Sequence, residues 1–502
     1  PFRACGLGRI ARRAALLHRG RAARPALALD VQAPVTIDAR HPLPGTRPLV
    51  VGAARSGLAA AALLRRHGLA VRVCDARGAT ALPDAARRLT ALGAEAMLGR
   101  DDAGLLEGRD FVVWSPGIPV KHPLAVAARA NGIPLLSELE IGYLAAHAPL
   151  VCVTGTNGKS TTTHLTGALL SAAGREVEVC GNIGRAICEV AEQVSPRGLL
   201  VAEVSSFQLE TVERLKPFVA TWLNLTPDHL DRHDDLESYA ALKQRLFVRQ
   251  DGEDYSVWNA DDPAVASRRT GAATPLAFSI AGPVDHGAFR ARGQLALAWR
   301  GGTEPLLPVS ELALRGAHNH ANVCAALATV LPLEIAPDTL RAVLRAYRGL
   351  EHRLEPAGIV DGVEFVNDSK ATNLDSLAVA LESFEQPVVL IAGGRDKGQD
   401  FVAVREAARR KVRHAVLIGE GAAKIASAWR GLPMTAAATL SEAVRTAFEI
   451  ARRPVEGGAP AARPVVLLSP GCASFDMFRD YEDRGRRFKD EVARLKLTEA
   501  AT

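Results

Sequence analysis

Residues 154–162 read Thr-Gly-Thr-Asn-Gly-Lys-Ser-Thr-Thr, a set of small, hydroxyl-bearing and cationic side chains suited to holding a polyphosphate. Gly155 and Gly158 carry no side chain, so backbone N–H groups can approach phosphate oxygens, and a helix starting after them presents its positive N-terminal end. Thr156 and Asn157 complete the loop, Lys159 can reach the terminal phosphates, and the hydroxyl of Ser160 or Thr161 can ligate Mg²⁺. The spacing departs from the common Gly-x-x-x-x-Gly-Lys loop, because Val153 stands where its first glycine would be. An apolar run, Leu150–Val153, leads in, and a helix-compatible stretch, Ser160–Ala173, leads out to Gly174. Together they predict a strand, a phosphate loop and a helix.

Chemistry-bearing residues also collect where other predicted strands end, the place where open α/β sheets bind ligands. Glu203 interrupts the apolar run Leu199–Val204. A buried carboxylate is costly unless paired or on a metal, and beside a phosphate loop Mg²⁺ is the expected partner. The next strand, Val219–Leu225, leads into Asn224-Leu-Thr-Pro-Asp228-His229-Leu-Asp231-Arg232, which adds an imidazole and carboxylates to that rim. Lys243 falls in a helical stretch over Tyr239–Phe247, where spacing alone makes it an ordinary solvated cation.

Later in the chain, Asn367-Asp368-Ser-Lys370-Ala-Thr372-Asn373, Gly393-Gly-Arg-Asp-Lys397-Gly398 and Ser469-Pro-Gly-Cys-Ala-Ser474-Phe475-Asp476 each follow a predicted strand. Lysines and hydroxyls converging there make a pocket for a small dicarboxylate. Near the start, Gly52-x-x-x-x-Gly57 lacks the middle glycine of a dinucleotide fingerprint, Ala54 standing in its place. Asp75 closes the second strand, where it can accept from a ribose or uracil edge or form a turn.

Such residues need a scaffold, and strands alternating with helices predict parallel α/β sheets. At 502 residues the chain exceeds one core, and about three domains are expected. The boundaries fall at 47–140, 141–350 and 351–502: a Rossmann-like N-terminal unit, a central unit with the phosphate loop, and a Rossmann-like C-terminal unit, each with a mostly parallel sheet flanked by helices. Strands are expected at Pro48–Val51, Ala70–Asp75 and Phe111–Trp114 in the first, and at Val363–Val366, Val388–Ala392, Ala415–Ile418 and Val465–Leu468 in the third. Residues 455–464 read as a surface loop.

The net charge of +6 and isoelectric point near 9.0 would suit a nucleic-acid binder, but the charge is in the wrong place. Residues 1–29 hold seven arginines and no acid, so the other 473 residues sum to −1. Residues 1–46 are therefore expected to be a disordered or spurious basic extension, and no nucleic-acid partner is expected. No apolar run is long enough to span a bilayer, so membrane insertion is not expected. Nothing points to an obligate protein partner. Seven scattered cysteines without a Cys-x-x-Cys pair read as free thiols of a reducing cytoplasm.

The compressed loop Gly155-x-x-Gly158-Lys159-Ser160 resembles that of the Mur ligase and folylpolyglutamate synthetase superfamily. The chain also carries Gly181-Asn-Ile-Gly184, Glu203-Val-Ser-Ser-Phe-Gln-Leu-Glu210, Asp228-His-Leu-Asp-Arg232, Asn259-Ala-Asp-Asp262, His318-Asn319, His352-Arg353, Asp368–Asn373 and Ser469–Ser474, in family order. Over about Pro48–Lys496 it is similar to Mur ligases, and Ser-Ser-Phe-Gln-Leu-Glu with Asp-Ser-Lys-Ala-Thr-Asn resembles the D-glutamate-adding type.

That resemblance implies an ATP- and Mg²⁺-dependent ligase joining D-glutamate to UDP-N-acetylmuramoyl-L-alanine through an acyl phosphate, in cytoplasmic peptidoglycan precursor synthesis. It implies that Gly155, Thr156, Asn157, Gly158, Lys159, Ser160, Thr161, Asn319, Arg353 and Asp368 bind ATP. Ser160, Glu203, His229 and Lys243 would serve the metal ions, Lys243 as a carbamate, with Lys159, Lys243, His229 and Glu203 as the catalytic set. Arg55, Ser56, Asp75, Arg77, Gly117, Asn182 and Ser205 would contact the UDP-linked substrate. Lys370, Thr372, Lys397, Ser474 and Phe475 would surround D-glutamate. Ala54 departs from the glycine many members carry, and residues 1–46 have no counterpart in the family.

Overall fold

The computed structural model describes residues 43, 45–228, 232–314, 316–396, 398–453 and 463–500. The expected basic extension lies almost wholly outside these residues, as do His229, Lys397 and most of the 455–464 loop. The described part is an α/β protein built on three sheets.

The first sheet has the spatial order Glu95–Leu98, Arg72–Asp75, Pro48–Val51, Phe111–Trp114, Leu135–Ser137, all parallel. The chain order reverses between Pro48–Val51 and Phe111–Trp114, which opens a crevice beyond their carboxyl ends. The second sheet runs Gly302–Pro308, Gln294–Trp299, Gly287–Ala291, Thr274–Ser279, Tyr255–Asn259, Val219–Trp222, Leu150–Thr154, Leu199–Glu203, Val177–Gly181. It is parallel except for an antiparallel meander at one edge. The third sheet runs Glu355–Val360, Val363–Asn367, Val465–Leu468, Val388–Gly393, Val412–Ile418, Met434–Ala436, with only its first strand antiparallel.

The unbroken apolar strands are explained by helices on both faces of each sheet. Along Leu150–Thr154, Val151 and Val153 pack into one core while Leu150 and Cys152 pack into the other. Val50 and Val113 likewise face one side of the first sheet, and Leu49, Val51, Val112 and Trp114 the other. In the third sheet Leu390 and Leu467 oppose Val389, Ile391 and Val466. Each such side chain contributes about 1.5–3 kcal/mol by leaving water. All six cysteines among the described residues are buried and unpaired.

The first and second domains are tied together by buried carboxylates on the helix Glu138–Ala145. Glu140, fully buried, accepts the N–H groups of Glu213, Arg214 and Leu215 at 3.1, 2.6 and 3.2 Å. Glu138 accepts the N–H of Cys188 at 2.7 Å.

Several elements differ from the sequence reading. The strand expected over Val219–Leu225 ends at Trp222, because Asn224 turns out of the sheet to bind the phosphate loop. The helix expected over Tyr239–Phe247 runs Leu236–Gln244, capped by the Asp235 side chain, which accepts from Ser238 N–H. Edge strands such as Glu95–Leu98 and Glu355–Val360 escape a search for apolar runs because they are partly exposed.

Candidate active site

The phosphate loop lies between the strand Leu150–Thr154 and the helix Lys159–Ala172. Gly155 has φ +153 and Gly158 φ +83, and a Cβ on Gly158 would strike the Asn322 side chain. Glycine is required there both for the backbone conformation and for the close approach. The loop is held from the next strand, where Asn224 Oδ1 accepts the N–H groups of Thr156 and Asn157 at 3.0 and 2.8 Å. Lys159 curls over the loop, its Nζ donating to the carbonyls of Gly155 at 3.0 Å and Thr156 at 2.7 Å. Ser160 and Thr161 open the helix, both nearly buried.

Lys243 is not the surface cation that its helix position suggests. It is 1% exposed, its Nζ donates to Gly155 O at 2.9 Å, and it lies 4.4 Å from the centre of the Tyr239 ring. Burial, with the nearby Lys159 charge, holds its ammonium well below the usual lysine range. Burial also lowers Lys159.

Glu203, 2% exposed, closes the neighbouring strand. One of its oxygens accepts from Asn182 Nδ2 at 2.8 Å, and the other is buried without a hydrogen bond. An orphaned carboxylate oxygen beside the phosphate loop fits a Mg²⁺ ligand. Asp228 reaches the same rim, contributing its charge to both Lys159 and Lys243.

A cleft beside the loop is lined by Asn157, Gly158, Thr161, Phe278, His318, Asn319, Asn322, Arg353 and Asp368, so it draws on both the second and third domains. Arg353 crosses between them, its Nη2 donating to Ser160 Oγ at 3.2 Å while its Nε is buried without a partner. Asp368 accepts from Leu354 N–H at 3.2 Å and from Ser469 Oγ at 2.8 Å, and burial pushes its carboxyl up to about 7. These contacts anchor the carboxyl at the edge of the cleft.

On the first-domain side, Arg55 opens the helix Arg55–Arg66 and donates to the carbonyls of Gly184 at 2.7 Å and Asn182 at 3.1 Å, bridging two domains. Ser56 follows it, half-buried. Asp75 accepts from Ala53 N–H at 2.9 Å and is paired with Arg77 at 2.9 Å, whose guanidinium holds the carboxyl down to about 2. Gly117 is exposed in the turn after Trp114, and Ser205 caps the short helix Ser206–Leu209 in a capping box with Gln208.

In the third domain, Lys370 extends over the ring of Tyr481 at 5.1 Å, and its backbone N–H donates to His352 O at 3.1 Å. Thr372 stays beside it through an N–H bond to Lys370 O at 2.8 Å, and Ser474 is buried. Phe475 is 60% exposed; the aromatic ring that meets Lys370 is Tyr481, which the sequence reading passed over. Arg484 was missed too. It is fully buried and donates to Ser369 and to the carbonyls of Cys472 and Ala473, tying two rim segments together. In sequence it is one basic residue in a helix rich in charges, where only the adjacent Gly485, which makes room for the His352 ring, hints at close packing.

Comparisons with known proteins match all three domains. Residues 46–137 match the MurD-like N-terminal domain of Mur ligases, residues 153–330 the Mur ligase middle domain, and residues 352–469 the glutamate ligase domain. UDP-N-acetylmuramoylalanine–D-glutamate ligase of Acidobacterium capsulatum is 41% identical over 90% of this chain and 96% of its own length. The enzymes of the same name from Pelotomaculum thermopropionicum and Myxococcus xanthus are 42% and 43% identical over 89% and 90% of this chain. Among solved structures, a pseudomurein peptide ligase type C from Methanothermus fervidus aligns with a TM-score of 0.54 at 18% identity, covering 90% of this chain and all of its own. A UDP-N-acetylmuramate–alanine ligase from Thermotoga maritima aligns with a TM-score of 0.52 at 17% identity, with the same coverage. These distant likenesses show a shared fold, and the close sequence relatives show the lineage. The chain belongs to the Mur ligase family, with a MurD-like N-terminal domain.

Proposed function

We propose that this protein is an ATP- and Mg²⁺-dependent ligase that adds D-glutamate to UDP-N-acetylmuramoyl-L-alanine through an acyl phosphate, in peptidoglycan precursor synthesis. The observation that carries the reading is the cluster of half-buried Lys159 with buried Lys243 and Glu203 at the strand ends, faced across a cleft by Arg353, with Lys370 in electrostatic reach of Glu203 and Lys159. Four cations from two domains, Lys159, Lys243, Arg353 and Lys370, are gathered there around the carboxylates of Glu203, Asp228 and Asp368. Anionic ligands are the natural complement: a γ-phosphate, an acceptor carboxylate and an amino dicarboxylate.

The residues divide the work as follows. Backbone N–H groups of the Gly155–Lys159 loop and Ser160, Thr161, Asn319, Arg353 and Asp368 hold ATP. Arg55, Ser56, Asp75, Arg77, Gly117, Asn182 and Ser205 hold the UDP-linked acceptor so that its alanyl carboxylate points at the γ-phosphate. Lys159 neutralises charge on the transferred phosphoryl group. The carboxylate oxygen attacks phosphorus and ADP leaves. Lys370, Thr372 and Ser474, with Tyr481, hold D-glutamate, whose amine attacks the acyl carbon after losing a proton; the C–O bond breaks and phosphate departs. The third domain must meet the second for the reaction, as it does where Arg353 reaches Ser160, because the two pockets lie on different domains.

Ser160, Glu203 and His229 would hold the magnesium ions, which supply charge neutralisation and alignment of phosphate and carboxylate oxygens. Lys243 fits the carbamate that the family resemblance implies. An amine adds CO₂ only when neutral, and burial favours the neutral amine here. The adduct, formed with loss of a proton, offers a carboxylate oxygen of the kind Mg²⁺ prefers. Among the described residues no helix is long and apolar enough to cross a membrane, and buried free thiols suit the cytoplasm.

The test is phosphate release by the purified protein with ATP, Mg²⁺, UDP-N-acetylmuramoyl-L-alanine and a panel of amino acids. Release that requires both the acceptor and D-glutamate, matched by formation of the joined product, is the expected result. Equal release with other amino acids, or none with this acceptor, would refute the proposal.

A further inference from the structure

We propose that Arg232 is a positioning residue that ties the first-domain loop at Gly117 to the short helix Ser206–Leu209 of the second domain, and so sets affinity for the UDP-linked acceptor. Its guanidinium grips Glu210 with two bonds, Nε to Oε1 at 3.1 Å and Nη2 to Oε2 at 2.6 Å. The same Nη2 donates across the domain boundary to Ile118 O at 3.0 Å, and that carbonyl also accepts from Trp114 Nε1 at 2.7 Å. The guanidinium carbon lies 4.6 Å from the centre of the Phe207 ring.

The partners define what this clasp controls. Ile118 adjoins Gly117 in the turn after the strand Phe111–Trp114. Phe207 lies within the helix that Ser205 caps, and Glu210 follows directly after it. The clasp thus fixes the spacing between the loop and the cap that face the acceptor. With side chains only 11% and 7% exposed, Arg232 and Glu210 are screened little by solvent, and Arg232 acts through its neighbours. The nearby Lys121–Asp234 pair spans the same boundary but is exposed on both sides, where an ion pair contributes little. Only a planar fork can hold a carboxylate at two points and still donate to a carbonyl; a lysine ammonium keeps the charge but loses that geometry.

The inference rests on the reading that the acceptor lies along Gly117 and Ser205. The experiment uses the full chain as wild type, Arg232→Lys and Arg232→Gln, with KM measured for each of the three substrates alongside thermal melting. Both variants should raise KM for the UDP-linked acceptor about tenfold or more, the worth of one charge-assisted hydrogen bond. KM for ATP and for D-glutamate should stay within about twofold. Arg232→Lys should melt near wild type, because it still compensates Glu210. An unchanged acceptor KM, a parallel rise in all three constants, or an Arg232→Lys protein that fails to fold would overturn the proposal and leave Arg232 a structural residue. A wild-type protein that does not ligate D-glutamate would instead overturn the functional reading.

Discussion

Lys159 and Lys243, from different helices of the central domain, donate to the same carbonyl oxygen, that of Gly155, at 3.0 and 2.9 Å. Two amines on one carbonyl, Lys243 buried and Lys159 half-buried, repel each other if both are charged. That repulsion is relieved where one amine is neutral, where negative charge is brought in between them, or where one amine is converted to an anion.

That leads to the first prediction. Lys243→Ala should lose most ligase activity, and acetate or formate should restore part of it by supplying an oxygen ligand to Mg²⁺. Wild-type initial rates should fall when CO₂ is rigorously removed and recover on adding bicarbonate. Full activity in a folded Lys243→Ala protein would return this residue to a packing role.

Lys159 should behave differently. Its ammonium acts on charge that develops during phosphoryl transfer, so Lys159→Ala should lower turnover about a hundredfold or more, with no rescue by small carboxylates. Melting should change little, since Lys159 is only half-buried and its Nζ donates to loop carbonyls rather than packing in a core. Near-normal turnover would sink its assigned role.

Arg353 reaches from the third domain to Ser160 Oγ, and its buried Nε has no partner. An ATP phosphate would supply that partner. Arg353→Lys should therefore raise KM for ATP about tenfold while leaving KM for the UDP-linked acceptor nearly unchanged. Steady-state rates with each substrate varied decide the matter; an acceptor effect as large as the ATP effect counts against it.

Asp75 makes a pH-dependent prediction. Arg77 lowers its carboxyl from an ordinary 3.8 to about 2 in the folded protein. A carboxyl shifted down stabilises the fold above its unfolded value, and that contribution is lost as pH falls through the folded one. The melting gap between wild type and Asp75→Asn should therefore be constant above about pH 4 and close toward pH 2. A gap that widens on acidification would contradict the pairing.

The fold was largely legible because its strands are short apolar runs that end in informative residues. Leu150–Thr154 and Val388–Gly393 are buried on both faces, so they read as continuous hydrophobic segments. The meander Gly287–Pro308 and the strand Glu355–Val360 are partly exposed and alternate poorly, so they did not stand out. The phosphate loop was legible because its conformation demands glycine at fixed places. Lys243 was not, because its burial depends on tertiary contact with Tyr239 and Gly155 rather than on its helix position. Tyr481 was hidden for a related reason. It lies seven residues beyond Ser474, and only the turn of the chain brings its ring to Lys370, while the adjacent Phe475 faces solvent.

The most direct test of the mechanism follows oxygen. UDP-N-acetylmuramoyl-L-alanine labelled with ¹⁸O in its alanyl carboxylate is turned over with ATP, Mg²⁺ and D-glutamate, and the released phosphate is analysed by mass spectrometry. If the carboxylate attacks the γ-phosphate and the amine then breaks the resulting C–O bond, each phosphate carries one labelled oxygen. Unlabelled phosphate, released together with the joined product, would contradict the acyl-phosphate route and the site built to support it.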